Sequence, residues 1–598
     1  MLALLERRRL VWAVAGLLIG LTVAAQIAMV PTPDTAFLLY AAGRLLDGAR
    51  LYRDLVEINP PLIIWLNLPV AWLARRLHVS DFALYSLATA LVVGALLLFT
   101  RRLARRYALD DAPGLRRYVL LLLCVALFPF AGLDFGEREH LVVALLLPYV
   151  FLTVAWLRGQ RVPGLEAAVT GCLGGLAVAL KPHFGLVWLA LEVLRRWRIP
   201  SERWKVGPAA AAAAAAAVAV LAGYVLAVLR VTPEYLPLVG LLGPAYTQFL
   251  KDPFFHLLIL APGGALVLFV LLALAALRRR IESDAFVTVF AVAMVACYLA
   301  GAAQEKGFPY HFFPALVLAV VLLGLLARLR ARADWRLSER LYARLPGPLA
   351  AAIGLVAVGS TLVTLAGGGP KERRERKEML ELAAIVRDHA AGRPVGVLSW
   401  HLASAFPLLN YAGVTLATRL PHLWILPASY WDLLRAEGPL RYHRVDQMQP
   451  AERWMYNGVR EDLLSVQPNV LVVLRPARDV RQNGLRRLHY IRYFERDPGL
   501  AAFFSRYEFL AEKGEFDLYQ RIEHGRPRTA PPPADEPGTL DVRQGEWGYI
   551  RVVLLDPEFA AGVALFGAFV AASGLADRRR PGSPPEASPA RRSHMSRV

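Results

Sequence analysis

VTVFAVAMVACYLAGAA-QEKGFPYHFFPA-LVLAVVLLGLLA, residues 287–327, holds a polar loop between two apolar runs. A membrane-spanning helix needs roughly 20 apolar residues, somewhat fewer inside a bundle, to cross a hydrocarbon core of about 30 Å. The stretch therefore predicts two spanning helices. The loop between them gathers a glutamine, a glutamate, a lysine, a tyrosine and a histidine at the membrane boundary.

The composition of the whole chain agrees with a membrane protein. Of its 598 residues, 56% are apolar although 19% are charged, a combination typical of polytopic membrane proteins and rare in soluble ones. The net charge of +20 is divided into short clusters between apolar segments, which membrane topology explains better than nucleic-acid binding. The three cysteines lie far apart in apolar runs and predict neither a disulfide framework nor a metal site.

The same length criterion predicts about twelve spans along the chain. They lie at 10–30, 81–100, 117–133, 139–157, 166–181, 183–195, 206–229, 256–277, 285–303, 309–327, 347–366 and 552–575. With the N-terminus in the cytoplasm, the arginine clusters that separate these spans all fall on the cytoplasmic side, as the positive-inside rule requires. We therefore predict an uncleaved first span and a set of polar loops on the outer face.

Residues 60–77 are apolar enough for a further span, but counting them would place every later arginine cluster outside. We predict instead an amphipathic helix on the outer interface, with Trp65 and Trp72 at headgroup depth. Arg75 and Arg76 are predicted to extend their charged ends toward the headgroups.

The C-terminal third differs in kind. After a charged helix it contains β-like runs at 394–400 and 469–474 and a hairpin at 507–522 turning at Lys513-Gly514. The predicted fold class is a polytopic α-helical membrane protein with a small C-terminal extracytoplasmic α/β domain. The predicted organisation is a transmembrane catalytic domain at 1–367, a periplasmic α/β domain at 368–548, a final span at 549–577 and a disordered cytoplasmic tail at 578–598.

The outer loops collect ionisable residues, which at a membrane boundary indicate a site when they converge. Three carboxylates, Asp34, Glu57 and Glu137, could take a proton from a hydroxyl or hold a metal ion. A second set could neutralise a lipid-linked phosphate; it comprises Arg138, His140, Lys181, His183, Lys306, Tyr310 and His311. Structural roles are the alternatives: a helix-dipole partner for Asp34, a helix-end marker for Lys181, and an aromatic belt for Tyr310 and His311.

The run PTPDTAFLLYAAGRLLDGARLYRDLVEINPPLIIWL, residues 31–66, resembles the first outer loop of the GT-C glycosyltransferases. The likeness is to the bacterial branch related to protein O-mannosyltransferases and the aminoarabinose transferase of lipid A. The matching features are Asp34 at the start of a surface helix, a G-x-x-x-Y turn at Gly48 to Tyr52, and Pro60-Pro61-Leu62 before a second surface helix. One departure is Asp34-Thr35, where the family often has Asp-Glu, so metal binding by a paired acid is in doubt.

The resemblance implies an inverting enzyme of the bacterial inner membrane, with its active site facing the periplasm. Asp34 would be the general base, and the donor a polyprenyl-phosphate sugar. A glycan, a lipid or a protein could be the acceptor. No cofactor is required by the pattern, and a divalent cation stays open. Two alternatives keep the membrane setting: a transporter or flippase for a lipid-linked saccharide, and a polymerase or ligase using a diphosphate-linked oligosaccharide.

Overall fold

The computed structural model describes residues 8–108, 113–199, 206–281, 284–329, 334–435, 440–476 and 488–522. All of them belong to one compact unit, Met1–Val542. A second unit, Arg543–Val598, lies outside the described residues, as do the predicted span at 552–575 and the predicted tail at 578–598.

The N-terminal part is built from helices. They are α1 Arg8–Ala28, α2 Pro33–Leu46, α3 Leu62–Leu77, α4 Asp81–Leu103, α5 Pro113–Leu127, α6 Arg138–Leu157, α7 Gly164–Leu180, α8 Gly185–Arg198, α9 Pro208–Val231, α10 Tyr235–Gln248, α11 Phe254–Leu260, α12 Gly264–Ile281, α13 Ala285–Ala302, α14 Phe313–Leu326, α15 Leu337–Arg344 and α16 Pro346–Leu365. Every predicted span within the described residues overlaps one or more of these helices.

Within the described part of the chain, 7 helices are long and apolar enough to cross a membrane, or 8 if the bent pair α11–α12 is one span. The count is below the predicted twelve because α5, α7 and α8 are short and one predicted span is not described. Large apolar side chains such as Leu17, Leu226 and Leu355 are exposed on the outer helices. Such a surface is stable against lipid and would aggregate in water.

Two helices form the centre of the bundle. Almost every side chain of α6 and α14 is buried, so these helices are apolar all round and have no solvent-facing stripe. The charged residues of α6 are confined to its first turn, and α14 has none. Short 3₁₀ turns interrupt the backbone at 129–134, 182–184 and 309–312. These breaks precede α6, α8 and α14 and position the candidate site.

Small residues bring α7 and α9 close together. A Cβ atom added at Gly171 would lie 2.0 Å from the carbonyl oxygen of Ala213, and one at Gly175 would lie 2.8 Å from that of Ala217. Glycine and alanine at such spacing let membrane helices approach backbone to backbone. The alanine tract near residue 210 is thus a packing surface for α7.

The surface helices α2 and α3 are present as predicted and pack on each other. Arg75 does not extend toward headgroups as predicted. Its guanidinium pairs with Asp47 at 2.7 Å and donates to the Gly43 carbonyl at 2.9 Å, because the end of α2 lies within its reach. Arg75 therefore fastens the two surface helices together.

The C-terminal region contains a 4-stranded sheet in the order β1-β2-β4-β3, formed by β1 Gly396–Leu398, β2 Val470–Leu474, β3 Tyr507–Lys513 and β4 Phe516–Arg521. Strands β1 and β2 are parallel and fully buried, and β3–β4 is a hairpin with Gly514 at positive φ in its turn. The strands lie where the sequence predicted them. The helices are α17 Pro370–Ala390, α18 Leu408–Ala412, α19 Ile425–Ser429, α20 Trp431–Arg435, α21 Pro450–Val466, α22 Tyr490–Phe494 and α23 Pro498–Phe504.

The sheet region rests on the surface helix α2. Phe406 packs against Phe37 and Tyr40 with ring centroids 5.3 and 5.0 Å apart. Asn410 donates from its side chain to the Ala36 carbonyl, and the Leu416 N–H donates to the Tyr40 hydroxyl. The helix that carries Asp34 is therefore held from above by the C-terminal region.

Candidate active site

Asp34 occupies the first turn of α2. Thr32 caps this helix by accepting the Thr35 N–H at 3.2 Å, and the following proline fits the first helical position. The Thr32 hydroxyl also donates to the Glu137 carboxylate at 2.7 Å. This hydrogen bond ties the start of α2 to the start of α6, so Asp34 and Glu137 belong to one site.

Glu139 is the centre of a buried ion cluster. Its carboxylate lies 2.9 Å from the Lys181 ammonium and 3.7 Å from Nε2 of His311. Lys181 also donates to the side-chain carbonyl of Gln304 at 3.0 Å. The first turn of α6, the end of α7 and the loop before α14 therefore meet here, as the polar loops predicted.

Arg138 connects this cluster to the other carboxylates. The buried guanidinium is close enough to act electrostatically on Asp34, Glu57 and Glu139, and on Tyr310. Its Nε is buried without a hydrogen-bond partner among the described residues. A buried donor of this kind is costly unless it binds something, so Arg138 is available to an anionic ligand.

Glu57 is fixed by its own loop. Its carboxylate accepts the Asn59 N–H at 2.8 Å and the Asn59 side-chain amide at 2.6 Å, while the Tyr52 hydroxyl donates to the Asn59 carbonyl at 2.7 Å. Both Arg138 and Asp34 act on it. Glu57 therefore lies at the edge of the site, with part of its hydrogen-bonding capacity already used.

Tyr310 and His311, in the polar loop before α14, lie against the cluster. The Tyr310 ring is 6.0 Å from the Lys181 ammonium, and its centroid is 4.6 Å from that of His311. His311 is buried, and its Nδ1 has no hydrogen-bond partner in the part of the chain that the structure describes. Both residues line the cation cluster.

Lys306 is held separately. Its ammonium donates to the carbonyls of Tyr246 and Phe249 and lies 4.6 Å from the centre of the Tyr246 ring. It acts on His311 but is not among the main groups that act on Asp34. Two backbone carbonyls already occupy this ammonium, so Lys306 contributes long-range charge and stabilises the end of α10.

The two remaining histidines have different positions. His140 is fully buried; its Nδ1 accepts the Gly136 N–H at 3.0 Å, and its Nε2 lies 2.8 Å from the Leu127 carbonyl. Because both ring nitrogens are occupied by backbone, His140 stabilises the turn before α6 and offers no atom to a ligand. His183 is exposed beside Lys181, which acts on it.

Burial sets the protonation of the carboxylates. It raises the pKa of Glu137 to about 8, with Asp34 as the largest charged contribution in the same direction. Burial also raises the pKa of Asp34 above its ordinary value, and the cations of Arg138 and Lys181 oppose that shift. A base with a raised pKa that remains beside two cations suits proton abstraction near neutral pH.

Three residues in or near the site were not predicted from the sequence. Glu139 was not among the predicted site residues, although a carboxylate in the first turn of a helix is a recognisable signal. Tyr246 sits on α10, a helix that no span predicted. His401 follows β1 and acts on Asp34 from the C-terminal region, which only the tertiary structure could reveal.

The paired carboxylates raise the question of a metal ion. In the described ranges, no three histidine, cysteine, aspartate or glutamate side chains are grouped so that they could hold a metal ion. Glu137 is instead paired with the Thr32 hydroxyl, Glu57 with the Asn59 amide groups and Glu139 with the Lys181 ammonium.

Known structures supply a fold comparison. No family model and no curated protein matches the chain. Among solved structures, ArnT from Cupriavidus metallidurans bound to undecaprenyl phosphate superimposes with a TM-score of 0.52 and 12% identity over 86% of this chain and 98% of that chain. Its apo state gives 0.50 and 13% over 86% and 97%. This chain has the GT-C fold.

The GT-C fold confirms the predicted class, a polytopic helical membrane protein with a small C-terminal sheet region. It also confirms the predicted resemblance at the level of architecture, since the match covers most of both chains.

Proposed function

We propose that this GT-C protein transfers a sugar from a polyprenyl-phosphate donor to an acceptor hydroxyl. The observation that carries the proposal is the placement of Asp34 near the buried cations Arg138 and Lys181. The Thr32 hydroxyl at the start of α2 donates to Glu137, the residue before Arg138, and both cations act electrostatically on Asp34. A base for the attacking hydroxyl and cations for the leaving phosphate are the two elements that this reaction needs. The undecaprenyl phosphate bound to ArnT, which shares the fold, supports a polyprenyl lipid as the donor carrier.

In the proposed reaction Asp34 takes the proton of the acceptor hydroxyl as its oxygen attacks the anomeric carbon. The bond between that carbon and the phosphate oxygen breaks, giving the glycoside with inverted configuration and polyprenyl phosphate. The phosphate gains one negative charge as it leaves. Arg138 and Lys181 stabilise that added charge more strongly in the transition state than in the ground state, which lowers the barrier.

The remaining residues support these roles. Tyr310 and His311 border the phosphate position, while Glu139 holds the Lys181 ammonium at 2.9 Å. Burial keeps a raised pKa on Asp34, and the Glu139 carboxylate adds to that shift. Asp34 in turn adds to the effect of burial in raising the pKa of Glu57 and of Glu137. No step is assigned to His140, whose ring nitrogens are already bonded to backbone.

The proposed location is the bacterial inner membrane, with the site facing the periplasm. Helix α7 runs about 25 Å between two charged ends, at 1.5 Å per residue. Lys181 follows its last residue, whereas Glu166 in its first turn pairs with Arg102 and Arg106 at 2.7 and 2.8 Å. The arginine-rich end is the cytoplasmic one under the positive-inside rule, which directs the Asp34 site outward.

The experiment uses the full chain reconstituted in liposomes. It measures release of polyprenyl phosphate from a panel of polyprenyl-phosphate sugars, with a diphosphate-linked oligosaccharide as a separate arm. We expect Asp34→Asn to lower release from one monophosphate donor by roughly 10²–10⁴-fold, the usual contribution of a general base. Asp388→Asn, the same change at an exposed aspartate of α17, is the matched control and should retain the wild-type rate.

Two results would contradict the proposal. Equal rates for the wild type and Asp34→Asn would remove Asp34 as the base. Turnover of the diphosphate-linked donor alone would identify a polymerase or ligase, and movement of an intact lipid-linked saccharide across the liposome membrane without turnover would identify a flippase.

A further inference from the structure

The loop after β1 brings one side chain of the C-terminal region to the catalytic base. His401 and Asp34 act on each other electrostatically, and the short turn at 402–404 packs against α2. His401 is exposed, and no hydrogen-bond partner for its ring nitrogens is found among the described residues. A polar ring with free nitrogens therefore lies beside the residue that is proposed to deprotonate the acceptor.

The loop itself is rigid. The Ser399 hydroxyl accepts the His401 N–H at 3.1 Å and shares a hydrogen bond of 2.8 Å with the Ser404 hydroxyl. The Trp400 N–H donates to the Tyr490 hydroxyl at 2.9 Å. Because its backbone is bonded at successive residues, the loop holds the backbone of His401 in place. Preorganised side chains of this kind suit ligand binding.

The charged groups that act on His401 do not include the cations of the cluster. The charged groups that act on its imidazole are Asp34 and Glu515, and it acts in turn on His422. Desolvation lowers the pKa of His401, which favours the neutral imidazole, and a neutral imidazole can both donate and accept a hydrogen bond. A neutral ring suits a hydroxyl better than a phosphate.

An aromatic surface adjoins the ring. The ring centroid of Trp400 lies 4.9 Å from that of His401 and 6.0 Å from that of Phe249. Flat apolar rings beside a few polar groups are typical of sites for small polar ligands with apolar faces. A sugar has both features, since its C–H face can pack on a ring while its hydroxyls bond to polar side chains.

We propose that His401 binds a sugar hydroxyl of the acceptor beside Asp34, so that the C-terminal region supplies part of the acceptor site. The inference rests on the proposed glycosyl transfer and names its acceptor class as a carbohydrate. The proton still goes to Asp34. His401 orients the attacking hydroxyl and does not take part in breaking the donor bond.

The first test measures proximity without activity. Cys124, Cys172 and Cys297 are replaced by alanine, and Asp34→Cys is combined with His401→Cys in the full chain. A short bis-maleimide should join this pair. The pair Asp47→Cys with His401→Cys is the control, since Asp47 lies some 20 Å along α2, about thirteen residues at 1.5 Å each, and should not react. Equal reaction of both pairs, or of neither, would overturn the placement.

The second test separates acceptor binding from donor chemistry. Polyprenyl phosphate release is measured with water alone and with octyl β-glucoside as the acceptor probe. We expect the glucoside to stimulate the wild type, and His401→Ala to lose at least fivefold of that stimulation through KM while its water-only rate stays within twofold. His401→Gln should recover part of it, and His389→Gln, the same change at a histidine of α17, should behave as the wild type.

The outcomes distinguish the two proposals. If release depends on Asp34 but the glucoside stimulates His401→Ala as well as it does the wild type, glycosyl transfer stands and the role of His401 is refuted. Absence of stimulation in the wild type refutes a carbohydrate acceptor at this position. If no donor is turned over by any chain, the proposed function and this inference fall together.

Discussion

The Lys181 ammonium lies 2.9 Å from the Glu139 carboxylate, with both side chains almost completely buried. The two residues come from the end of α7 and the first turn of α6, and neither has water to replace its partner. A buried ion pair of this type contributes little net stability, yet removal of one partner leaves an uncompensated charge. Its position at the centre of the site points to a role for Lys181 beyond structure.

Removing one partner at a time separates stability from function. Lys181→Met should destabilise the protein by about 3 kcal/mol, because the Glu139 carboxylate is left buried and unpaired. The double variant Lys181→Met/Glu139→Gln should recover most of that loss but none of the donor turnover. Thermal unfolding and polyprenyl phosphate release together test this. Recovery of turnover in the double variant would show that Lys181 is only structural.

The pH dependence of turnover should reflect Asp34. Burial raises the pKa of this carboxyl above its ordinary 3.8, so kcat/KM should begin to fall at a pH above the usual range of a free aspartate, as the base becomes protonated. The Lys181 charge lowers the pKa of Asp34. The residual kcat/KM of Lys181→Met should therefore begin to fall at a higher pH than that of the wild type. Lys377→Met, at an exposed residue of α17, should leave that pH unchanged.

Glu137 should make the stability of the protein pH-dependent. Burial raises the pKa of Glu137 from 4.5 to about 8, so the folded state binds this proton more tightly than the unfolded state. The contribution is complete below about pH 4.5 and is lost as pH rises to about 8. Glu137→Gln keeps an oxygen for the Thr32 hydroxyl and carries no charge, so its Tm should exceed that of the wild type at pH 9 by roughly 2 °C or more.

The same comparison at low pH provides the contrast. At pH 5 the two proteins should unfold at similar temperatures, since Glu137 is then protonated. Glu508→Gln, at an exposed position of β3, should follow the wild type at both pH values. A constant difference between Glu137→Gln and the wild type across this range would argue against the raised pKa.

The contact between α7 and α9 predicts a sharp difference between two glycines. Gly171→Ala should destabilise the protein by roughly 1–3 kcal/mol, because its Cβ would overlap the Ala213 carbonyl 2.0 Å away. Gly174→Ala, one turn along the same helix, meets nothing within 4 Å and should be neutral or slightly stabilising. Unfolding in detergent measures both, and equal stabilities would contradict the close packing.

Much of the fold could be predicted because the bilayer makes length and hydropathy decisive. A run such as 285–303 has to be a helix that crosses the hydrocarbon, since no other structure satisfies its backbone there. The β-strands were also predicted correctly, from short apolar runs and the Lys513-Gly514 turn. The surface helix at 60–77 was recognised from the charge pattern of the loops that follow it, and helix α3 occupies that segment.

Polar residues near the ends of spans marked the candidate site for the same reason, since a membrane boundary tolerates few unexplained charges. That argument could gather Asp34, Arg138 and Lys181 on one face. It could not tell which of their neighbours bind ligand and which bond to backbone. His140 and Lys306 look like Lys181 in sequence, but their polar atoms are occupied by carbonyl and amide groups of the chain.

The sequence by itself thus determined the membrane class and the strands, because these depend on local apolar length and turn residues. Only the tertiary structure decided that Glu139 pairs with Lys181 and that the turn after His401 packs against the helix of Asp34. These pairings join segments more than 40 residues and more than 360 residues apart. Such pairs form only when the helices and the sheet pack, and no periodicity along the chain encodes them.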